Sequence, residues 1–269
     1  RTEVGLRFVG ALWRYWHQRG LVAEGRDWSE RVLALDVGKA APDIMAAALH
    51  GAGRLAYLQG DYEIARSRSE QAHRLFRRLP DMSGVGLCLT ALGSVAFEEG
   101  EYAVARAYFR GALAIWRVLG DAFGIGAALN WLGIVYTDLR EYERAQEALQ
   151  ESFAVRASIG DWLGASRALN SLGIVSRQLG DLEEAARAYE RSLELARRAG
   201  DRRAEAGCLS NLGLVAAGRG DTVLAEGLFR ESLEIHREVG DKWGLATALA
   251  NLGNLAADTG LLDDARGLL

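Results

Sequence analysis

The chain has 269 residues, 49% of them hydrophobic and 25% charged, with a formal net charge of -4. That length allows one large domain or two ordinary ones, and with only two prolines the composition excludes a collagen-like or disordered chain. The acidic balance offers no basic surface for a phosphate backbone, so direct nucleic-acid binding is not expected. No long apolar run or leader-like segment predicts a membrane span or a signal peptide.

The predicted elements are helices, arranged in pairs with a forty-residue period. Residues 1–40 form a divergent capping unit, in which Trp13 stands where later units have glycine and Gly25 where they have alanine. A large-for-small exchange matched by a small-for-large one predicts an inverted contact there, with Trp16 and Trp28 adding aromatic bulk. Residues 41–80 and 81–120 carry "AALHGAGRLAYLQGDYEIARSRS" and "LCLTALGSVAFEEGEYAVARAYF". Residues 121–160, 161–200, 201–240 and a truncated 241–269 carry copies that align without a gap, such as "AALNWLGIVYTDLREYERAQEAL" and "RALNSLGIVSRQLGDLEEAARAY". The chain starts and stops within helical pattern, as expected of a region from a larger multidomain protein.

Within each copy the recurring points have physical reasons. Leu129, Leu132, Tyr136 and Leu139 form one apolar stripe of a first helix, and Ala145, Leu149 and Phe153 one stripe of a second. A glycine recurs in the first helix at Gly53, Gly93, Gly133, Gly173, Gly213 and Gly253, followed twelve residues later by Ala65, Ala105, Ala145, Ala185, Ala225 and Ala265. Glycine in a helix costs about 1 kcal/mol relative to alanine, so its recurrence predicts two backbones in close approach, with the glycine facing the alanine. Gly-Asp pairs such as Gly160-Asp161 and Gly180-Asp181 stop one helix and cap the next, and Pro80-Asp81 does the same once.

The L-x-x-L-G-x-x-[YA] core, the alanine twelve residues after the glycine, and the aromatics Phe109, Tyr189 and Phe229 resemble the tetratricopeptide repeat family in a forty-residue form. The resemblance implies an all-α, right-handed superhelical solenoid of about seven helix-turn-helix repeats. Its usual proline near the end of the second helix is absent here.

Chemistry-bearing motifs are few. His17, His50, His73 and His236 show no metal-ligand spacing and read as ordinary residues; Cys88 and Cys208 read as small core residues of a reducing, cytoplasmic chain. No phosphate-binding loop occurs, and "GVGLCLTALG" from Gly84 lies inside a predicted helix as a packing feature. No catalytic residue, metal or cofactor is expected, and the chain reads as non-enzymatic. The basic stretch Arg66 to Leu79 reads as a solvated helix face, and Trp116, Trp162 and Trp243 read as structural.

The informative surface is the face beside the core stripe of each first helix. There lie Asn130, Ile134 and Thr137, then Asn170, Ile174 and Arg177, then Ser210 and Leu214, then Asn254; Trp131, Asn211 and Asn251 lie one residue beyond, and Arg167 one turn before. Recurrent asparagines offer paired donors and acceptors to a peptide backbone, and an arginine beside them can hold a carboxylate. Equally, those asparagines can brace neighbouring helices. "LRFVGALWRYWHQRGLVAEGRDWSERVLAL", from Leu6 to Leu35, resembles the start of the repeat region in bacterial multidomain signal-transduction ATPases. That resemblance implies a sensor arm binding a protein, a peptide or a small-molecule inducer. "NLGN" from Asn251 resembles, alternatively, the free-standing peptide-binding adaptors that orient the spindle in animal cells.

Overall fold

The computed structural model describes residues 2–35 and 40–258. Among these the secondary structure is entirely helical, in thirteen helices: α1 Thr2–Gln18, α2 Val22–Leu33, α3 Pro42–Leu58, α4 Tyr62–Arg78, α5 Met82–Glu98, α6 Tyr102–Leu119, α7 Ala122–Asp138, α8 Tyr142–Ser158, α9 Trp162–Gln178, α10 Leu182–Ala199, α11 Arg202–Gly218, α12 Thr222–Glu238 and α13 Lys242–Asp258. The chain divides into two compact units, Arg1–Ala128 and Leu129–Leu269. Ala265 and the end of the truncated last repeat lie outside the described residues.

The helix boundaries follow from local chemistry. Asp61, Asp81, Asp161, Asp181, Asp201 and Asp221 each accept a hydrogen bond from the backbone N–H three residues on, at 2.9 to 3.3 Å. Each such cap is worth about 1 kcal/mol. At the other end, Gly120 and Gly200 close α6 and α10 in the left-handed conformation, at φ of 67° and 69°. Arg140, standing where most repeats have glycine, is held at φ 59°.

In the first unit, α1 packs on α2, α3 on α4 and α5 on α6, and the first helices of successive pairs adjoin one another as α1–α3 and α3–α5. In the second, α9 packs on α10 and α11 on α12, with α9, α11 and α13 again adjacent in a row. Small apolar clusters join each pair to a helix of the next, such as Ala46, Leu49, Ala72, Phe76 and Cys88 across α3, α4 and α5 in the first unit, or Leu193, Ala206, Cys208, Leu209 and Ile235 across α10, α11 and α12 in the second. Both cysteines are free thiols in these clusters, and burial pushes the Cys88 thiol up to about 12.

The close approach predicted at the repeating glycine is present, but its partner differs from the expectation. A Cβ on Gly93 would stand 2.7 Å from the Phe109 ring, on Gly173 2.5 Å from Tyr189, on Gly213 2.5 Å from Phe229, and on Gly133 2.4 Å from Leu149. The glycine thus receives the large residue one turn beyond the alanine, because helical side chains lean toward their own N-terminus and cover the turn before them. The alanines Ala105, Ala145, Ala185 and Ala225 are fully buried beside that contact. Gly53 keeps the alanine as a neighbour, with the Ala65 carbonyl 3.3 Å and the Ser69 hydroxyl 3.1 Å from its added Cβ.

A second glycine column joins one pair to the next. Added carbons at Gly84, Gly124, Gly164 and Gly244 would collide with Phe76, Trp116, Arg156 and His236, each near the end of the preceding helix. This explains the buried Trp116, which is structural as expected; Trp162 is half-buried, with the Arg198 guanidinium carbon 3.8 Å from its ring centroid. Trp243 departs from that expectation: it is 79% exposed. In the capping unit the inverted contact uses Trp16, whose ring would lie 2.6 Å from a Cβ on Gly25; Trp13 turns elsewhere. The basic stretch of α4 is also more engaged than a plain solvated face, since Arg66 pairs with Glu99 and Glu101, and Arg68 with Glu30.

These contacts predict opposite signs for two alanine substitutions in one helix. Gly213→Ala overpacks the Phe229 contact and should destabilise the chain by about 1 to 3 kcal/mol. Gly207→Ala, with nothing within 4 Å of the added carbon, should stabilise it by about 0.5 to 1 kcal/mol. Urea unfolding of both variants checks the pair, and equal shifts would contradict the assignment.

Candidate functional site

The residues expected on the first-helix face of the second unit divide into three groups. Asn170 and Asn211 come together: the Asn211 Nδ2 donates to the Asn170 Oδ1 at 2.8 Å, linking α9 to α11. This is the bracing role foreseen for such asparagines. One bond uses one donor and one acceptor, so each half-buried amide keeps further capacity on the same face. Asn130, also half-buried, has its Oδ1 shielded from solvent and without a hydrogen-bond partner among the described residues. Trp131 and Asn251 are half-buried, while Arg167 and Asn254 are exposed.

Arg177 reaches from α9 toward the ring packed on Gly173. Burial raises the pKa of the Tyr189 phenol, and the neighbouring Arg177 guanidinium draws it back down. Among the described residues neither the Tyr189 hydroxyl nor the Arg177 Nε has a hydrogen-bond partner.

Three expected residues are turned to packing. Ser210 is buried, with its hydroxyl 2.8 Å from that of Ser232 on α12. It belongs to a serine seam between helices that also holds Ser166 against Ser192 at 3.0 Å. Thr137 is buried and donates to the Gly133 carbonyl of its own helix at 2.8 Å. Ile174 packs against the cluster of Ala185, Ala186, Tyr189 and Val215. A shallow, open depression of about 370 Å³ lies nearby, lined by Thr137, Asp138, Arg140, Tyr142 and Gln178.

The same repeat positions in the first unit were given no role by the sequence reading, and they carry a different chemistry. Subtracting forty-residue steps from Asn130, Ile134 and Thr137 gives His50, Arg54 and Tyr57 on α3, and Arg14 and His17 on α1. Arg14 and Arg54 approach the Trp13 ring, with guanidinium carbons 4.7 and 5.6 Å from the ring centroid, and Arg54 lies 4.9 Å from the Tyr57 ring. The Tyr57 hydroxyl donates to Glu98 at 2.9 Å.

His50 is 6% exposed, edge-on to Trp13 at 6.0 Å, and its Nδ1 has no hydrogen-bond partner among the described residues. Burial, with Arg54 and Arg14 adding to it, pulls its pKa down to about 3. The expectation of four ordinary histidines therefore fails here in one respect, since this imidazole is buried and kept neutral. His236 is also buried, with its Nδ1 3.3 Å from an Asp241 carboxylate oxygen. The arithmetic of the repeat was the signal that could have found this cluster.

No group of three or more metal-ligating side chains gathers among the described residues, and none of their helices is long and apolar enough to cross a membrane.

Comparison with known proteins bears on this geometry. Residues 44–117, 124–198 and 205–269 match the tetratricopeptide repeat family. No curated protein matches the chain. Among solved structures, a Rap protein complexed with competence and sporulation factor is similar at a TM-score of 0.71 and 16% identity, over 97% of this chain and 76% of that one. A signal transduction ATPase with numerous domains and a tetratricopeptide repeat sensor, from Pyrococcus horikoshii, is similar at a TM-score of 0.70 and 15% identity; the match spans 93% of this chain and 39% of that one. The apo form of the quorum sensor NprR from B. thuringiensis is similar at 0.67 and 12% identity, over all of this chain and 86% of that one.

The buried imidazole makes stability pH-dependent in a defined direction. Its folded-state pKa lies below the ordinary value, so the stability tied to its neutral form is complete above about pH 6.5 and is lost as pH falls toward 3. The difference in unfolding free energy between the native chain and His50→Gln should therefore shrink between about pH 7.5 and about pH 5. Denaturant titrations at a series of pH values check this, and a pH-independent difference would contradict it.

Proposed function

Because the chain belongs to the tetratricopeptide repeat family, we propose that it is a non-enzymatic binding module that takes a protein or peptide segment on the first-helix face of its second unit. The observation that carries this reading is the Asn211–Asn170 amide pair between α11 and α9, with Arg177 on α9 and, on α7, Asn130, whose Oδ1 has no partner among the described residues. Half-buried amides with spare donors and acceptors suit an extended backbone, whose N–H and C=O groups need partners when water is excluded. Arg167 and Arg177 supply charge for an acidic group. Trp131, Asn251 and Asn254 extend the same surface along the row, whereas Ser210, Thr137 and Ile174 support it from behind.

The wider setting we infer is a sensor arm of a signalling protein, acting on an attached ATPase or transcription regulator. Its support is that the similar sensor-bearing ATPase has a TM-score of 0.70 and is matched over 39% of its length, which leaves room in that protein for other domains. Two further similar structures are a Rap protein complexed with competence and sporulation factor and a quorum sensor.

Panning a displayed library of random twelve-residue peptides against the chain should enrich binders. Their affinity should fall at least about tenfold, or about 1.4 kcal/mol, in the Asn170→Ala/Asn211→Ala variant while the melting temperature changes little. Binders indifferent to this pair and to Asn130→Ala/Arg177→Ala would remove this face as the site.

A further inference from the structure

The first unit holds an arrangement that its own packing leaves uncompensated. Arg14 and Arg54 lie near one indole, so their guanidinium carbons are separated by no more than the sum of 4.7 and 5.6 Å. Among the described residues neither makes an ion pair or a hydrogen bond, whereas Arg66 in the same unit is paired with both Glu99 and Glu101. The Glu98 carboxylate, which accepts from the Tyr57 hydroxyl, makes no ion pair with either arginine. Aromatic faces stabilise a cation but offer no oxygen acceptor. Each guanidinium therefore keeps its five N–H donors, and the two positive charges repel in a partly desolvated place.

A second observation points the same way. His50, almost fully buried beneath Trp13, has an unpartnered Nδ1 on this side of α3. Burial first, and the two arginines after it, keep that imidazole neutral, so it can offer one N–H without adding charge. Arg14 is exposed and Arg54, Trp13 and Tyr57 are half-buried, which leaves the cluster open to a ligand.

We propose that Arg14 and Arg54, walled by Trp13 and Tyr57, form a receptor for a phosphomonoester dianion. Two forked cations match the two charges and three or more acceptor oxygens of a phosphoryl group; a carboxylate supplies one charge and two oxygens. The aromatic walls favour a phosphoryl group carried on a ring. This site uses residues of the first unit alone and is independent of the peptide face described above.

The test needs no peptide partner. The indole N–H resonance of Trp13, assigned by its loss in Trp13→Phe, is followed during titration with phenyl phosphate, inorganic phosphate and benzoate at constant ionic strength. The expected result is a saturable shift with both phosphates, with benzoate at least about tenfold weaker. A preference for phenyl phosphate over inorganic phosphate assigns the carrier ring to the Trp13–Tyr57 wall; equal affinity assigns free phosphate. Arg54→Gln and, at the exposed position, Arg14→Gln should each weaken phosphate binding at least about tenfold, the latter with an unchanged melting temperature. No saturable shift, benzoate binding as tightly as phenyl phosphate, or affinity unchanged in Arg14→Gln would overturn the proposal.

Discussion

The approach of one large side chain to one bare glycine backbone is the contact on which α1/α2, α5/α6, α7/α8, α9/α10 and α11/α12 depend. Tyr189 and Phe229 are fully buried against Gly173 and Gly213, at distances that leave no space for a methyl group. A helical glycine costs about 1 kcal/mol, and a buried aromatic ring removes on the order of 150 to 250 Å² from water. At roughly 25 cal/mol per Å² the ring outweighs the glycine several-fold. Because the ring fills the space between the two helices, residues one turn before the glycine and one turn beyond it stand to the side of the first helix. Asn170 and Arg177, which flank Gly173, are half-buried beside the Tyr189 ring.

A frame that repeats leaves its surface free to vary. At equivalent positions the first unit carries His50, Arg54 and Tyr57 beside Trp13, whereas the second carries Asn170, Ile174 and Arg177, with Asn170 hydrogen-bonded across helices to Asn211. The frame itself does not choose between these chemistries, which is why membership of a repeat family states a scaffold and leaves the ligand to particular side chains. The second glycine column acts similarly between pairs: it admits Phe76, Trp116, Arg156 or His236 at the same offset.

The forty-residue period, the aspartate caps and the all-helical pairing were legible in the sequence because each is a local signal repeated many times. Contact partners were less legible. The glycine was expected to meet the alanine twelve residues on, but the tilt of helical side chains moves the contact to the residue sixteen on, and the same tilt brings Trp16 in place of Trp13 to Gly25. Ser210 could not be told from a surface serine, since its role depends on Ser232 across the pair. The cationic cluster was missed for a different reason: its residue types differ from the asparagines that drew attention, although their register is the same.

A double-mutant cycle between Gly173 and Tyr189 tests the governing contact most directly. If the ring and the bare backbone are one unit, Gly173→Ala should cost at least about 1 kcal/mol less in the Tyr189→Leu background than in the native chain. Additive costs, agreeing within about 0.5 kcal/mol, would show that the glycine and the ring act separately and would contradict this account.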